Sequence, residues 1–232
     1  HKIAQARGDL FVAVESLYSM DGDTAPLPEL CALCEELGAY LVVDEAHATG
    51  VYGKRGEGLV QGEGLESRVY ARVHTFGKGV GYRGAIVVGS ETLREYLVNF
   101  ARPFIYSTAP DLLTLRYIDH AYRLMAEAHE ERAILRQLID GFRSLREEFP
   151  GLSLLESDSP IQGVVLPSNQ RVIAAEEALQ GAGFFAKAIR SPTVPVGSER
   201  IRICLHAYNS LEEVRECLAL IDGSLSRGVV NG

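Results

Sequence analysis

Short apolar runs rich in β-branched residues alternate with helical patterns along the N-terminal half of the chain. Runs of this length, bounded by Gly and Pro, are typical of buried strands, and the segments between them carry helix start and stop signals. A strand–helix alternation favours an α/β architecture built on a largely parallel sheet. The predicted strands cover residues 10–15, 40–44, 69–75 and 85–88, and the predicted helices cover 28–37 and 91–101.

The pattern changes after residue 110. Residues 111–149 read as one long, charge-rich helical region without an internal Pro, in which Gly141 is the only glycine and marks the expected break. Shorter elements follow, with strands at 161–166, 184–189 and 201–205 and helices at about 171–181 and 210–224. The sequence therefore predicts two domains, 1–149 and 150–232.

Composition excludes several classes of function. The chain has 23 Lys and Arg against 31 Asp and Glu, and a net charge of −8 argues against a general nucleic-acid binder. No apolar run approaches the roughly 18 residues of a membrane span. Cys31 and Cys34 form a C-x-x-C without a second ligand pair, so we interpret the four cysteines as ordinary reduced thiols that suit the cytoplasm, and we expect no metal site.

An acidic motif follows the second predicted strand. Asp44-Glu45-Ala46-His47 comes directly after the apolar run that ends at Val43, and open α/β sheets bind ligands at the carboxyl ends of their strands. The same four letters mark a helicase family, but a helicase also needs a phosphate-binding loop with Ser or Thr after the Lys, and none is present. An acid and a histidine on a plain loop is the simpler alternative.

A lysine follows the third predicted strand, within His74-Thr75-Phe76-Gly77-Lys78-Gly79-Val80-Gly81. The glycines on both sides of Lys78 permit close approach of a flat ligand. A Lys that forms a Schiff base, together with a carboxylate such as Asp44 for a pyridinium nitrogen, is what pyridoxal phosphate (PLP) requires. Taken alone, Lys78 reads equally well as a solvated surface group.

Two arginines alternate on a late strand. Arg200 and Arg202 share one face of it, opposite Ile201 and Ile203, and an Arg guanidinium matches a carboxylate through two parallel hydrogen bonds. Without the other motifs, a pair of surface arginines is the favoured interpretation.

Taken together, these motifs resemble the α-oxoamine synthase family of PLP-dependent enzymes. The resemblance implies the fold of aspartate aminotransferase (fold type I), here as part of the large parallel-sheet domain with a connecting helix, followed by a small α+β C-terminal domain. The chain is expected to be the C-terminal portion of such an enzyme. The matching stretches are SMDGDTAPL (19–27), VDEAHATGVYGKRGEG (43–58), TFGKGVG (75–81), FARPFIYST (100–108) and AIRSPTVPVGSERIRI (188–203).

The resemblance also implies roles in cofactor binding. Lys78 would attach PLP covalently as a Schiff base and act as the catalytic base. Asp44 would pair with the pyridine nitrogen, and His47 and Ser19 would contact the 3-oxygen of the ring. Thr75 would bind the phosphate.

Further residues would bind the substrate or serve a second subunit. Arg202 and Arg190 would hold the carboxylate of an amino acid, with Thr193 near the substrate. Ser107 and Thr108 would reach the phosphate in the partner subunit of a homodimer.

The implied reaction is the decarboxylating condensation of an amino acid with an acyl-CoA or acyl-carrier protein. Within the family, the stretches TFGKGVG and AIRSPTVP resemble those of members that use alanine. In the family, a preceding segment supplies a glycine-rich phosphate turn and a histidine that stacks on PLP. Tyr82 and Arg83 stand where close relatives often carry smaller residues. Two hypotheses stay open beside this one: a family member that uses other substrates, and a non-catalytic fragment that keeps only the fold.

Overall fold

The computed structural model describes residues 8–228, with side chains as far as residue 225. It divides into two compact units, each with its own sheet. The first comprises residues 8–18 and Thr24–His129, and the second comprises Ser19–Asp23 and residues 130–228. Both units combine sheets with helices, which confirms the predicted α/β class.

The first unit contains a four-stranded sheet in the order β1-β2-β3-β4. Strands β1, β2 and β3 are parallel, whereas β4 is antiparallel to β3 because the turn at 76–84 is too short for a crossover connection. The predicted strand positions hold, but the sheet is mixed at this edge. The strands are β1 (Phe11–Glu15), β2 (Tyr40–Asp44), β3 (Ala71–Thr75) and β4 (Ala85–Gly89), and the helices are α1 (Leu27–Leu37), α2 (Leu59–Gly62), α3 (Glu91–Phe100), α4 (Arg102–Ile105) and α5 (Leu112–Glu127).

Helix α1 covers one face of this sheet. It begins with Pro28 in its first turn and ends at Gly38, whose φ of 61° is the left-handed conformation that favours glycine at a helix end. Its buried side chains, including Cys31, pack with Leu41 and Val43 of β2 in one hydrophobic cluster. This packing fixes which side of β2 faces the core, and hence the side on which Asp44 lies.

The second unit contains an antiparallel sheet in the order β5-β6-β8-β7, packed on helices. The last helix begins with a capping box, in which Glu213 N donates to Ser210 Oγ at 3.1 Å and Ser210 N donates to Glu213 Oε2 at 2.7 Å. The elements are α6 (His129–Ser144), a 3₁₀ turn (Leu145–Glu147), β5 (Ser153–Leu154), β6 (Ile161–Val165), α7 (Asn169–Gly181), β7 (Lys187–Ile189), β8 (Arg200–Cys204) and α8 (Leu211–Gly228).

The long helical region differs from its prediction. It consists of two helices that break at Ala128, whereas Gly141 lies inside α6. Leu138 and Phe142 of α6 are buried in the core of the second unit. The division between the units therefore falls at His129 rather than near the predicted residue 149, because the apolar face of α6 packs on the C-terminal sheet.

None of the helices within residues 8–228 is long and apolar enough to cross a membrane. In the same part of the chain, no cluster of three or more His, Cys, Asp or Glu side chains could hold a metal ion.

Candidate active site

Two polar side chains lie at the carboxyl ends of neighbouring parallel strands. Asp44 is the last residue of β2 and Thr75 is the last residue of β3. Asp44 is in register with Val73, and side chains two residues apart on a strand point to the same face. Asp44 and Thr75 therefore project on one side of the sheet at one edge, as the motif positions predict. Asp44 Oδ1 accepts a hydrogen bond from Ala46 N at 2.7 Å, which orients the carboxylate.

The Thr75 hydroxyl is buried and has no hydrogen-bond partner in the part of the chain that the structure describes. Leaving a buried polar group unpaired costs about 1–3 kcal/mol. At the end of a strand, the unpaired Thr75 hydroxyl is available to donate to a bound group. A phosphate oxygen, which accepts a hydrogen bond from a hydroxyl, is such a group.

Lys78 lies on the turn between β3 and β4, and its side chain is exposed. Gly79 packs so closely on the loop after β2 that a Cβ there would lie 2.3 Å from Thr49 O. Only glycine permits this approach. The turn with Lys78 and the loop with Asp44 and His47 are therefore in direct contact, so four of the predicted site residues share one edge of the first unit.

A buried network that the motif analysis did not assign supports this edge. Glu45 is fully buried, and its carboxylate accepts hydrogen bonds from Ser16 Oγ at 2.7 Å, Leu59 N at 3.0 Å and Val60 N at 2.7 Å. The acid after Asp44 thus anchors the loop from inside. No local pattern assigns this role, because Glu45 directly follows a second acid, Asp44, and its partners lie 14 to 29 residues away in the chain.

Thr49 and His74 extend the network to β3. The Thr49 hydroxyl donates to Glu45 O at 2.7 Å and lies 2.8 Å from His74 Nδ1. Because its single proton goes to Glu45 O, the proton of the second bond comes from His74 Nδ1. Burial lowers the pKa of His74, which keeps the ring neutral near pH 7. These bonds tie the loop of Asp44 to the strand that ends at Thr75 and leads into the turn with Lys78.

Other predicted residues lie elsewhere in the first unit. Ser107 and Thr108 are exposed in the segment after α4, and the Ser107 hydroxyl donates to Pro103 O. The structure does not place them at the edge formed by Asp44 and Lys78 within this chain.

The remaining predicted residues belong to the second unit. Arg202 of β8 is half-buried, and its Nε donates to Ser19 O at 2.7 Å. Its two terminal nitrogens have no protein partner among the described residues, which leaves them available to a carboxylate. Arg190 and Thr193 are exposed in the turn after β7, where Thr193 N donates to Arg190 O at 2.9 Å.

Arg200 behaves differently from Arg202 although both lie on the predicted face of β8. It is 6% exposed, forms an ion pair with Asp21, and donates from Nε to Ser198 O at 2.9 Å. The contacts of its guanidinium are therefore made within the protein. It joins Ser19–Asp23 to the C-terminal sheet, as does Gly22, where a Cβ would lie 2.2 Å from Ile161 O.

Comparison with known proteins identifies a family model and individual relatives that match most of this chain. The model of the family described as aminotransferase class I and II matches residues 2–221. An 8-amino-7-oxononanoate synthase of Emericella nidulans is 43% identical over 97% of this chain and 57% of its own length. The enzyme of that name from Cellvibrio japonicus is 40% identical over 95% of this chain and 56% of its own length. The chain thus spans less than two thirds of these relatives.

Solved structures show the same fold. A serine palmitoyltransferase from S. paucimobilis with a bound PLP–myriocin aldimine superposes with a TM-score of 0.88 at 27% identity, covering 98% of this chain and 58% of that one. An 8-amino-7-oxononanoate synthase from Francisella tularensis superposes with a TM-score of 0.83 at 27% identity, covering 98% of this chain and 66% of that one.

Proposed function

The chain belongs to the aminotransferase class I and II family, which is PLP-dependent, and we propose that the protein condenses L-alanine with a pimeloyl thioester, with loss of CO₂, to give 8-amino-7-oxononanoate for biotin synthesis. The observation that carries the proposal is the identity of about 40% or more, over nearly the whole chain, to proteins named as that synthase. The thioester is pimeloyl-CoA or pimeloyl-carrier protein.

The residues at the edge of the first sheet fit PLP. Lys78 Nζ would hold the cofactor covalently, and the Asp44 carboxylate would pair with its pyridine nitrogen. The unpaired Thr75 hydroxyl would donate to the phosphate, and His47 would hold the 3-oxygen of the ring. Ser19 belongs to the second unit, and its contact with the same oxygen is proposed from the family resemblance alone. PLP, when bound, supplies an electron sink that stabilises negative charge on the substrate Cα. The Asp44 anion favours the protonated pyridine that makes the sink effective.

The protein's own groups bind the substrate and move the proton. The free terminal nitrogens of Arg202, with Arg190, hold the alanine carboxylate through charge-assisted hydrogen bonds, and Thr193 lies near the substrate. Lys78 Nζ would move the proton of the alanine Cα as general base. The Cα then attacks the thioester carbonyl, the thiol leaves, and the resulting β-keto acid loses CO₂.

A homodimer is part of the proposal. Large apolar side chains are exposed along α3, α4 and the start of α5, and a concentration of them in one segment supports an interaction surface there. Ser107 and Thr108 lie within it, which fits a role at the phosphate of the partner subunit. The four cysteines are free thiols, which fits a cytoplasmic enzyme. The exposed side chains are Tyr96, Val98, Phe100, Phe104, Ile105, Tyr106, Leu112 and Leu113.

An assay with matched substrates tests the proposal. The protein expressed from its complete coding sequence is expected to release CO₂ from alanine with pimeloyl-CoA or pimeloyl-carrier protein, and mass spectrometry should detect 8-amino-7-oxononanoate. The serine palmitoyltransferase structures favour a second candidate, a synthase for another amino acid and acyl group. Faster turnover of serine with palmitoyl-CoA, or of glycine with acetyl- or succinyl-CoA, would support it. No turnover with any pair would leave a non-catalytic protein.

Replacing Thr75 with valine separates cofactor binding from folding. We expect PLP affinity to fall about tenfold, the value of a lost hydrogen bond to a charged group. The PLP-free protein should not lose stability and is expected to gain about 1 kcal/mol, since an unpaired buried hydroxyl disappears. Fluorescence titration with PLP and thermal unfolding measure the two effects. Thr24→Val, at an exposed threonine, is the control. A less stable PLP-free protein with unchanged PLP affinity would contradict the assignment.

A further inference from the structure

Two tyrosines tie the turn of Lys78 to the start of α5. The rings of Tyr82 and Tyr117 stack with centroids 4.5 Å apart and an interplanar angle of 29°. The Tyr117 hydroxyl donates to Gly81 O at 3.3 Å, and the Tyr82 hydroxyl lies 3.2 Å from Thr114 Oγ1. The Tyr82 side chain and the Gly81 carbonyl thus each attach the turn to α5.

The direction of the second hydrogen bond follows from the protons available. Thr114 Oγ1 donates to Asp111 Oδ2 at 3.1 Å, so Tyr82 must donate to Thr114 Oγ1. Asp111 also caps α5 by accepting from Thr114 N at 2.8 Å. Hydrogen bonds from the Thr114 backbone and side chain lower the pKa of Asp111, so the chain of donors ends on a carboxylate anion. Hydrogen bonds that end on an ionised acceptor are stronger than neutral ones.

The turn needs such anchoring because of its glycines. Residues 76–84 include four of them, at 77, 79, 81 and 84, and glycine loses the most conformational freedom when it is ordered. Its internal backbone bonds run from Phe76 N to Gly84 O at 2.8 Å, from Gly81 N to Lys78 O at 2.8 Å and from Tyr82 N to Phe76 O at 2.6 Å. These bonds close the turn but do not fix it to the body of the first unit.

We propose that Tyr82 and Tyr117 are positioning residues that hold the Lys78 turn in the conformation in which Lys78 Nζ engages PLP. The inference rests on the proposed role of Lys78. It assigns a purpose to the bulky Tyr82 that the sequence motif alone does not explain. Arg83 lies over the same ring, with Cζ 5.7 Å from the Tyr82 centroid.

Single-atom variants test the two anchors. Tyr82→Phe and Tyr117→Phe each remove one hydroxyl and keep the stacked ring. In the PLP-free protein from the complete coding sequence, each is expected to raise amide hydrogen exchange of residues 76–84 about fivefold, and the double variant more, since one hydrogen bond is worth about 1 kcal/mol. Tyr208→Phe is the matched control, because Tyr208 is 80% exposed and lies in the other unit.

The same variants are measured with PLP and substrates. Covalent attachment of PLP to Lys78 should slow about fivefold and kcat should fall by a similar factor, with the KM for alanine changed less than about twofold. Thr114→Val also removes the bond to Asp111, so its effect should be at least as large as that of Tyr82→Phe, whereas Thr114→Ser should keep the wild-type rates. Exchange and attachment rates that match those of Tyr208→Phe would overturn the positioning role. A wild-type protein that never attaches PLP to Lys78 would instead reject the proposed function, and the exchange data would still decide whether the tyrosines order the turn.

Discussion

Replacing Lys78 with alanine is expected to abolish covalent attachment of PLP and to lower kcat by about 10⁴-fold or more. Lys78 holds the cofactor and supplies the base for the alanine Cα, and loss of a general base alone costs about 10²–10⁴-fold. The fold should persist, because the Lys78 side chain is exposed and makes no hydrogen bond that the neighbouring loop needs. Visible absorbance after addition of PLP and steady-state kinetics measure the two effects.

Lys187→Ala is the control for this variant. Lys187 is exposed, and within the described residues its ammonium pairs with Glu176 of the second unit at 3.4 Å. It should leave both absorbance and kcat unchanged. Turnover by Lys78→Ala within about tenfold of the wild type would show that another group is the base.

Asp44→Asn is expected to lower kcat by about 10²–10³-fold without unfolding the protein. The amide is neutral, so the pyridine nitrogen loses the anion that favours its protonated form, and that electrostatic partner is worth several kcal/mol in a protected site. The amide oxygen can still accept from Ala46 N, so the local hydrogen bond at 2.7 Å survives. Steady-state kinetics and thermal unfolding follow the variant.

Glu15→Gln provides the comparison for Asp44→Asn. Glu15 is in register with Asp44 at the same end of the sheet, is likewise half-buried, and undergoes the same change from carboxylate to amide. It is expected to keep kcat near the wild-type value. Equal losses in the two variants would mean that a general effect of charge, rather than pairing with the pyridine nitrogen, determines the rate.

The sequence predicts the positions of strands β2 and β3, which end at Asp44 and Thr75, but it does not predict the buried hydrogen bonds that hold them. Asp44 and Thr75 end their predicted strands in the structure because short apolar runs and the glycines after them are local signals. The bond between Thr49 and His74 joins residues 25 apart, and that between Ser16 and Glu45 joins residues 29 apart. Such pairs depend on how strands and loops meet in space, so no local pattern reveals them.

The two arginines of β8 make the same point for substrate binding. Alternation along a strand places Arg200 and Arg202 on one face, as predicted. Only the structure separates them, because Asp21 neutralises Arg200 while Arg202 meets just the carbonyl of Ser19. Helix propensity does not predict the break at Ala128. Alanine is the strongest helix former, whereas Gly141, which lies inside α6, has the lowest helix propensity of the residues in that region.

The most direct measurement is to reduce the PLP-loaded protein, made from its complete coding sequence, with sodium borohydride and to map the modified peptide by mass spectrometry. Reduction fixes PLP to the lysine that carries it. We expect a single phosphopyridoxyl group on Lys78. Modification of Lys54 or Lys187 in its place, or no modification at saturating PLP, would contradict it.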